Sequence, residues 1–164
     1  MKTKLILSIT LLILSVNFLN AQNHSTIKGQ AFDEGDKNLG GVEVQLYKDG
    51  ALIKSHFALL STSFKFDSLE LNHVYQVKFV KKGYTTKIAE ISLKHPDGKE
   101  LTGHFPLEVN VTMNKITKKQ AKKLKFLETE PSAKASYNPD IDNIEWDITY
   151  IESIKARINE VMAK

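Results

Sequence analysis

Cysteine is missing from all 164 residues of this chain, and its absence excludes disulfides, thiolate metal centres and lipid attachment through a leader-peptide cysteine. Other signatures are missing too. There is no Gly-x-Ser-x-Gly elbow to present a nucleophilic serine. None of His24, His56, His73, His95 or His104 is followed by glutamate three residues on, the spacing that sets imidazole and carboxylate together on a catalytic metal. Internal repeats and low-complexity tracts are also absent. The one long apolar run, Leu5 to Leu19, falls short of the ~20 residues a membrane-spanning helix needs.

That run does have the layout of a secretory signal. Lys2 and Lys4 precede it, and Asn20-Ala21-Gln22 follows with a small residue at the cleavage position. Residues 1–21 are therefore read as a signal peptide cut after Ala21, which makes the protein exported: periplasmic, outer membrane-associated or extracellular, with no transmembrane segment after cleavage. The formal net charge of +4 falls when Lys2 and Lys4 leave, so charge gives no argument for nucleic acid as a partner. The remainder is long enough to bury a core without cross-links.

Between Thr26 and Met113 the apolar residues recur with period two, as in strands with one buried face. Ile27, Gly29 and Ala31 alternate with Lys28 and Gln30; Val42, Val44 and Leu46 alternate with Glu43 and Gln45. Phe64 and Phe66 flank Lys65. Tyr75, Val77 and Phe79, then Ala89, Ile91 and Leu93, then Leu107, Val109, Val111 and Met113 continue the rhythm. Asp49-Gly50 lies between two apolar runs and tolerates the positive φ of a tight hairpin. The pattern predicts about seven short strands in an antiparallel β-sandwich, each buried aliphatic contributing ~1.5–3 kcal/mol.

Beyond Met113 the composition shifts. Lys115, Lys118, Lys119, Lys122, Lys123 and Lys125 read as a solvated connector over 115–131, with Thr117-x-x-Gln120 opening a short helix through a capping box. Over 132–164 a small hairpin is expected around Asn138-Pro139-Asp140, then an amphipathic helix in which Ile151, Ile154, Ile158 and Val161 share a face. Thr149-x-x-Glu152 is its predicted cap.

Ile27-Lys28-Gly29-Gln30-Ala31-Phe32, Leu39-Gly40-Gly41-Val42-Glu43-Val44, Phe64-Lys65-Phe66 and Tyr75 through Lys81-Lys82-Gly83-Tyr84 together resemble the carboxypeptidase regulatory-like domain. The resemblance covers residues 25–114 and implies a seven-stranded transthyretin-like (prealbumin-like) sandwich followed here by a C-terminal α-helix. It departs from the family pattern at Leu60-Ser61-Thr62-Ser63-Phe64, where the usual turn glycine is missing. Members are mostly folding or binding modules of exported envelope proteins, so the resemblance implies a chain that is not an enzyme and has no cofactor or metal. It implies instead a structural or protein–protein contact role with an envelope protein as partner. The purine-ring-opening relatives of the fold need a histidine and arginine set with a C-terminal Tyr-Arg-Gly-Ser, and Arg157 is the single arginine here.

Tyr137, Trp146 and Tyr150 form the candidate binding surface, and an aromatic patch of this kind gives the second reading, a carbohydrate- or peptidoglycan-binding domain. Three further constellations have residue types suited to a site. His95 and His104 bracket one loop and suit a metal between them, or are plain surface residues. Asp33-Glu34-Gly35-Asp36-Lys37-Asn38 has oxygen ligands but lacks the spacing of a calcium loop, and a polar turn is expected. Lys28 in the first strand and Asn110 in the last would form an isopeptide bond only with a carboxylate such as Glu70 as proton shuttle, and alternation puts Lys28 on the outer face.

Overall fold

The computed structural model describes residues 23–60 and 62–163; the signal read over residues 1–21 lies outside them. The described residues form β1 (His24–Phe32), β2 (Val42–Lys48), β3 (Ala51–Ala58), β4 (Ser63–Glu70), β5 (Val74–Val80), β6 (Lys87–Ser92) and β7 (His104–Thr112). Next come α1 (Lys118–Lys123), a 3₁₀ turn (Lys125–Glu128), β8 (Ala133–Asn138), β9 (Asn143–Trp146) and α2 (Ile148–Met162). Two sheets result, a three-stranded one ordered β4-β1-β7 and a six-stranded one ordered β3-β2-β5-β6-β8-β9. The protein is thus mainly β, a sandwich with a C-terminal helix. Nine strands stand where seven were expected, because the hairpin β8-β9 joins the six-stranded sheet rather than standing apart.

The pairing is also not wholly antiparallel. β1 runs parallel to β7 along its whole length, from His24 opposite His104 to Phe32 opposite Thr112, and β6 runs parallel to β8. Both pairs are separated by long stretches of chain, which parallel neighbours require and tight turns cannot supply. The consecutive strands β2-β3 and β5-β6 keep the antiparallel pairing that short turns allow. At Asp49-Gly50 the φ angles are 47° and 85°, as the tight turn demands.

Alternation delivers the core. Ile27, Val44, Leu46, Phe66, Tyr75, Val77, Phe79, Ile91 and Met113 are almost fully buried between the sheets, and Phe64 meets Phe79 edge to face at 5.5 Å. Gly29 is there for space: a Cβ on it would lie 1.9 Å from the Val109 carbonyl oxygen of the neighbouring strand. In the loop that lacks the turn glycine, buried Thr62 donates its hydroxyl to the Leu39 carbonyl.

A second apolar cluster lies on the outer face of the six-stranded sheet. Leu124 and Leu127 meet Ile154 and Ile158 of α2, with Ile116, Phe126, Tyr150, Val161 and Met162 around them. This corrects the expectation of a solvated connector, since the lysines of 115–125 alternate with residues that α2 covers. Lys78, which points away from the core between Val77 and Phe79, donates to the Glu128 carbonyl at 2.7 Å and helps pin the 3₁₀ turn to that face. The predicted Thr117–Gln120 capping box is present on α1. The cap of α2 is Asp147 rather than Thr149, its carboxylate accepting the Tyr150 N–H at 2.8 Å; a carboxylate there also meets the positive end of the helix dipole. Among the described residues no helix is long and apolar enough to cross a membrane.

Candidate functional site

The three aromatic residues singled out in the tail are split by the sheet. Trp146 lies opposite Ala135, and Tyr137 is two residues further along β8; both pack at the edge of the main core and line a shallow recess of ≈ 310 Å³ with Ser136, Asn138, Glu145 and Asp147. The Tyr137 ring meets Phe105 edge-on at 5.6 Å and His95 at 5.3 Å. Its hydroxyl donates to Asp142 Oδ1 at 2.7 Å, a bond that raises its pKa above the usual phenol range. Tyr150 belongs to the other face. On the first turn of α2 it donates to the Pro131 carbonyl at 2.8 Å, lies under the Lys134 ammonium at 4.9 Å, and has its pKa raised chiefly by burial. Two of the three residues therefore share a recess, and the third serves the second cluster.

A larger recess, ≈ 320 Å³, opens at the seam between the sandwich and α1. Gly83, at φ 82°, turns the chain so that Tyr84 bridges Lys115, while Ile116 N–H donates to the Gly83 carbonyl at 2.9 Å. Lys81 stands 5.4 Å from the Tyr84 ring centre and donates to the Gly40 carbonyl at 2.5 Å. Tyr84, Ile116, Ala121 and Leu124 supply apolar walls, and Lys82, Lys118 and Glu128 supply charge. The Lys-x-Gly-Tyr run marked one wall in the sequence. Its partner wall was concealed, because lysines flank Ile116 and Leu124.

A third cluster had no signal in sequence spacing. The β2-β3 turn brings Asp49 to His73, Oδ2 to Nδ1 at 2.5 Å, and the other ring nitrogen lies 3.5 Å from Glu70, which Lys48 also engages. Asp49 Oδ1 accepts the Val74 N–H at 3.0 Å; that bond first, and His73 second, hold the Asp49 carboxyl below its usual range. The grouping latches the hairpin to the start of β5. It places no nucleophile beside the imidazole.

The remaining candidates are dispersed. His104 faces His24 at 4.7 Å and His95 faces Tyr137, so each bracketing histidine has its own neighbour. Among the described residues no three histidine, aspartate or glutamate side chains form a metal-holding group. Asp33 Oδ1 accepts the N–H groups of Gly35 and Lys37 at 2.9 and 3.0 Å, making the 33–38 loop a self-satisfied turn. Lys28 and Asn110 are both exposed. Asn110 bonds Gln30 N–H and Glu108, and Glu70 is opposite His24, so the carboxylate an isopeptide bond needs is not beside the pair.

No protein-family model and no curated protein matches the chain. Solved structures do. Catechol 1,2-dioxygenase from Pseudomonas arvilla C-1 is similar at TM-score 0.42 and 8% identity, over 60% of this chain and 54% of that one. 3-Chlorocatechol 1,2-dioxygenase from Rhodococcus opacus 1CP is similar at TM-score 0.37 and 10% identity, over 59% and 62%. The dioxygenase domain of a dioxygenase carbohydrate-binding protein fusion from Streptomyces sp. SirexAA-E follows at TM-score 0.30 and 18% identity, over 55% and 81%. The chain thus spans less than two thirds of the first two. These matches correct the expectation of a chain that is not an enzyme, because catechol dioxygenases stand among the structures it is similar to. At such scores they assign it no chemistry, substrate or metal.

Proposed function

We propose that this chain is an exported cell-envelope module whose role is contact with another envelope protein. In this reading residues 1–21 are its signal. A carboxypeptidase regulatory-like, transthyretin-like sandwich over 25–114 is joined by the 115–131 connector to the appendage 132–164. The observation that carries the contact role is the seam recess. Its apolar walls, Tyr84, Ile116, Ala121 and Leu124, are flanked by Lys82 and Lys118. A concave apolar surface whose rim carries these two lysines and the Glu128 carboxylate suits an apolar side chain presented beside charged groups. Retention of a partner from envelope extract tests this: it should survive excess glycan and be lost on Ala121→Glu. Equal retention by wild type and variant would end the reading. Intact mass of the protein from an exporting host tests the signal, with Gln22 expected as the first residue.

The second reading, carbohydrate or peptidoglycan binding, is favoured by the recess that joins Tyr137 and Trp146 to Asn138 and Glu145. Aromatic faces beside amide and carboxylate groups suit sugar rings and hydroxyls. It requires peptidoglycan retention that disappears on Trp146→Ala.

A further inference from the structure

The four sheet edges are built differently. β7 carries Pro106, which has no N–H to offer, and Glu108. β4 carries Lys65, Asp67 and Glu70 and is interrupted at Ser68, where φ is 57°. β9 has only four residues, includes Glu145, and lies between Asp142 and Asp147. Proline, charge, irregularity and shortness are the devices that keep a strand edge from pairing with another chain. β3, the remaining edge, is eight residues long with Lys54 as its one formal charge. Leu52, Ile53 and Phe57 on it are 53%, 51% and 59% exposed, and Leu59 and Leu60 just beyond are 75% and 93% exposed. Only two other large hydrophobics among the described residues, Ile141 and Ile148, are exposed. The apolar surface is therefore concentrated on the least defended edge, where one lysine and one irregularity near the hairpin are set against five exposed apolar side chains.

We propose that β3 is a dimerisation edge, joining two copies of this chain antiparallel, β3 to β3, about a two-fold axis. A second copy suits the edge because it brings an equally long strand with the same unpaired backbone groups, so one contact closes both. The side chains are compatible with self-pairing. A two-fold axis centred on Ser55 sets Ile53 opposite the second copy's Phe57, and Lys54 opposite its His56. Centring on His56 sets Ile53 opposite Leu59, and Lys54 opposite Ala58. Neither arrangement opposes lysine to lysine, the like-charge contact that destabilises cross-strand pairs. The one irregularity of β3, the extra residue Ile53 between its pairings with Leu46 and Tyr47, lies near the hairpin and leaves Lys54–Ala58 regular. At roughly 100 Å² each, the five apolar side chains offer ~500 Å² per copy, and the strand backbone brings this toward the ≈ 800 Å² per partner of a specific interface.

The inference rests on the edge alone and is independent of export and of the seam recess. Sedimentation velocity of the purified protein, from low micromolar to several hundred micromolar, should show a monomer–dimer equilibrium. Amide exchange should slow with concentration at Ala51–Ala58 and not on β9. Phe57→Lys and Ile53→Lys should each weaken dimerisation roughly a hundredfold through lost apolar contact and the cost of covering a charge at the seam, with unchanged circular dichroism confirming the fold. A protein that stays monomeric throughout overturns the proposal, also when a peptide from another protein is found to occupy the edge. So does a dimer that keeps its affinity in folded charge variants, or one whose exchange slows elsewhere.

Discussion

The six-stranded sheet has an apolar cluster on each face, and the two differ in how they are built. The inner one draws on every strand except β3, fills the space between the sheets, and includes Phe66, Tyr75 and Phe79. The outer one has four buried residues, Leu124, Leu127, Ile154 and Ile158, from a short connector and one helix, and it shares its face with charged side chains. Lys78 is one of them, while Lys87 of β6, opposite Phe79 of β5 and half-buried, has its pKa pulled down to about 8 first by desolvation and then by the Lys155 charge of α2. A core closed by two sheets is committed to burial along its whole length. A helix laid on a sheet face can bury a patch while tolerating a lysine at its margin, because a lysine stem can reach toward water.

The comparison is broken most severely from the inner side. Phe79→Ala should cost about 3–5 kcal/mol and lower the urea midpoint of the whole chain in one transition. Ile154→Ala should cost ~2–4 kcal/mol, and hydrogen exchange should place the loss at α1, the 3₁₀ turn and α2 while the strands stay protected. Equal loss of protection in β1 and β7 would show that the two clusters fold as one.

Lys87 sharpens the contrast through pH. Its folded pKa of about 8 lies below the ordinary lysine value of 10.5, so the unfolded state binds more protons between those values. The burial penalty is complete below pH 8 and fades as pH rises toward 10.5. Stability should therefore climb from pH 8 to 9.5, before tyrosine ionisation enters. Tyr75, raised to about 12 by burial first and by Glu70 and Asp49 next, acts in the opposite sense, its contribution being lost above pH 10. Lys87→Met should remove the climb and stabilise the protein by on the order of 2–3 kcal/mol at pH 7, as read by denaturant titration at each pH. The smallest effect is expected at the start of α2: Asp147→Ala should cost about 1 kcal/mol and Thr149→Ala much less, which chemical denaturation of the two variants will separate.

Much of the inner cluster was legible because period-two alternation depends only on which face of a strand each residue takes. Ile27, Val44, Val77, Phe79 and Ile91 were read as buried and are. The outer cluster was hidden because Leu124 and Leu127 are set among lysines, and their burial depends on α2 arriving from twenty or more residues away. The same distance concealed the Asp49–His73 contact and the pairing of β8 with β6. It also explains the division of the aromatic residues: Tyr137, Trp146 and Tyr150 are close in sequence, yet a strand and a helix on opposite faces of one sheet keep Tyr150 from the other two.

The sequence by itself determined the mainly-β class, the Asp49-Gly50 turn, the amphipathic C-terminal helix and the exclusion of disulfides, all consequences of residue type and local periodicity. Tertiary structure alone decided strand order, the parallel β1-β7 and β6-β8 pairs, the two recesses and the bare edge at β3. Those features depend on which distant segments become neighbours, and hydrogen bonding between strands is set by backbone groups that every residue carries, so no side-chain pattern within a single strand names its partner.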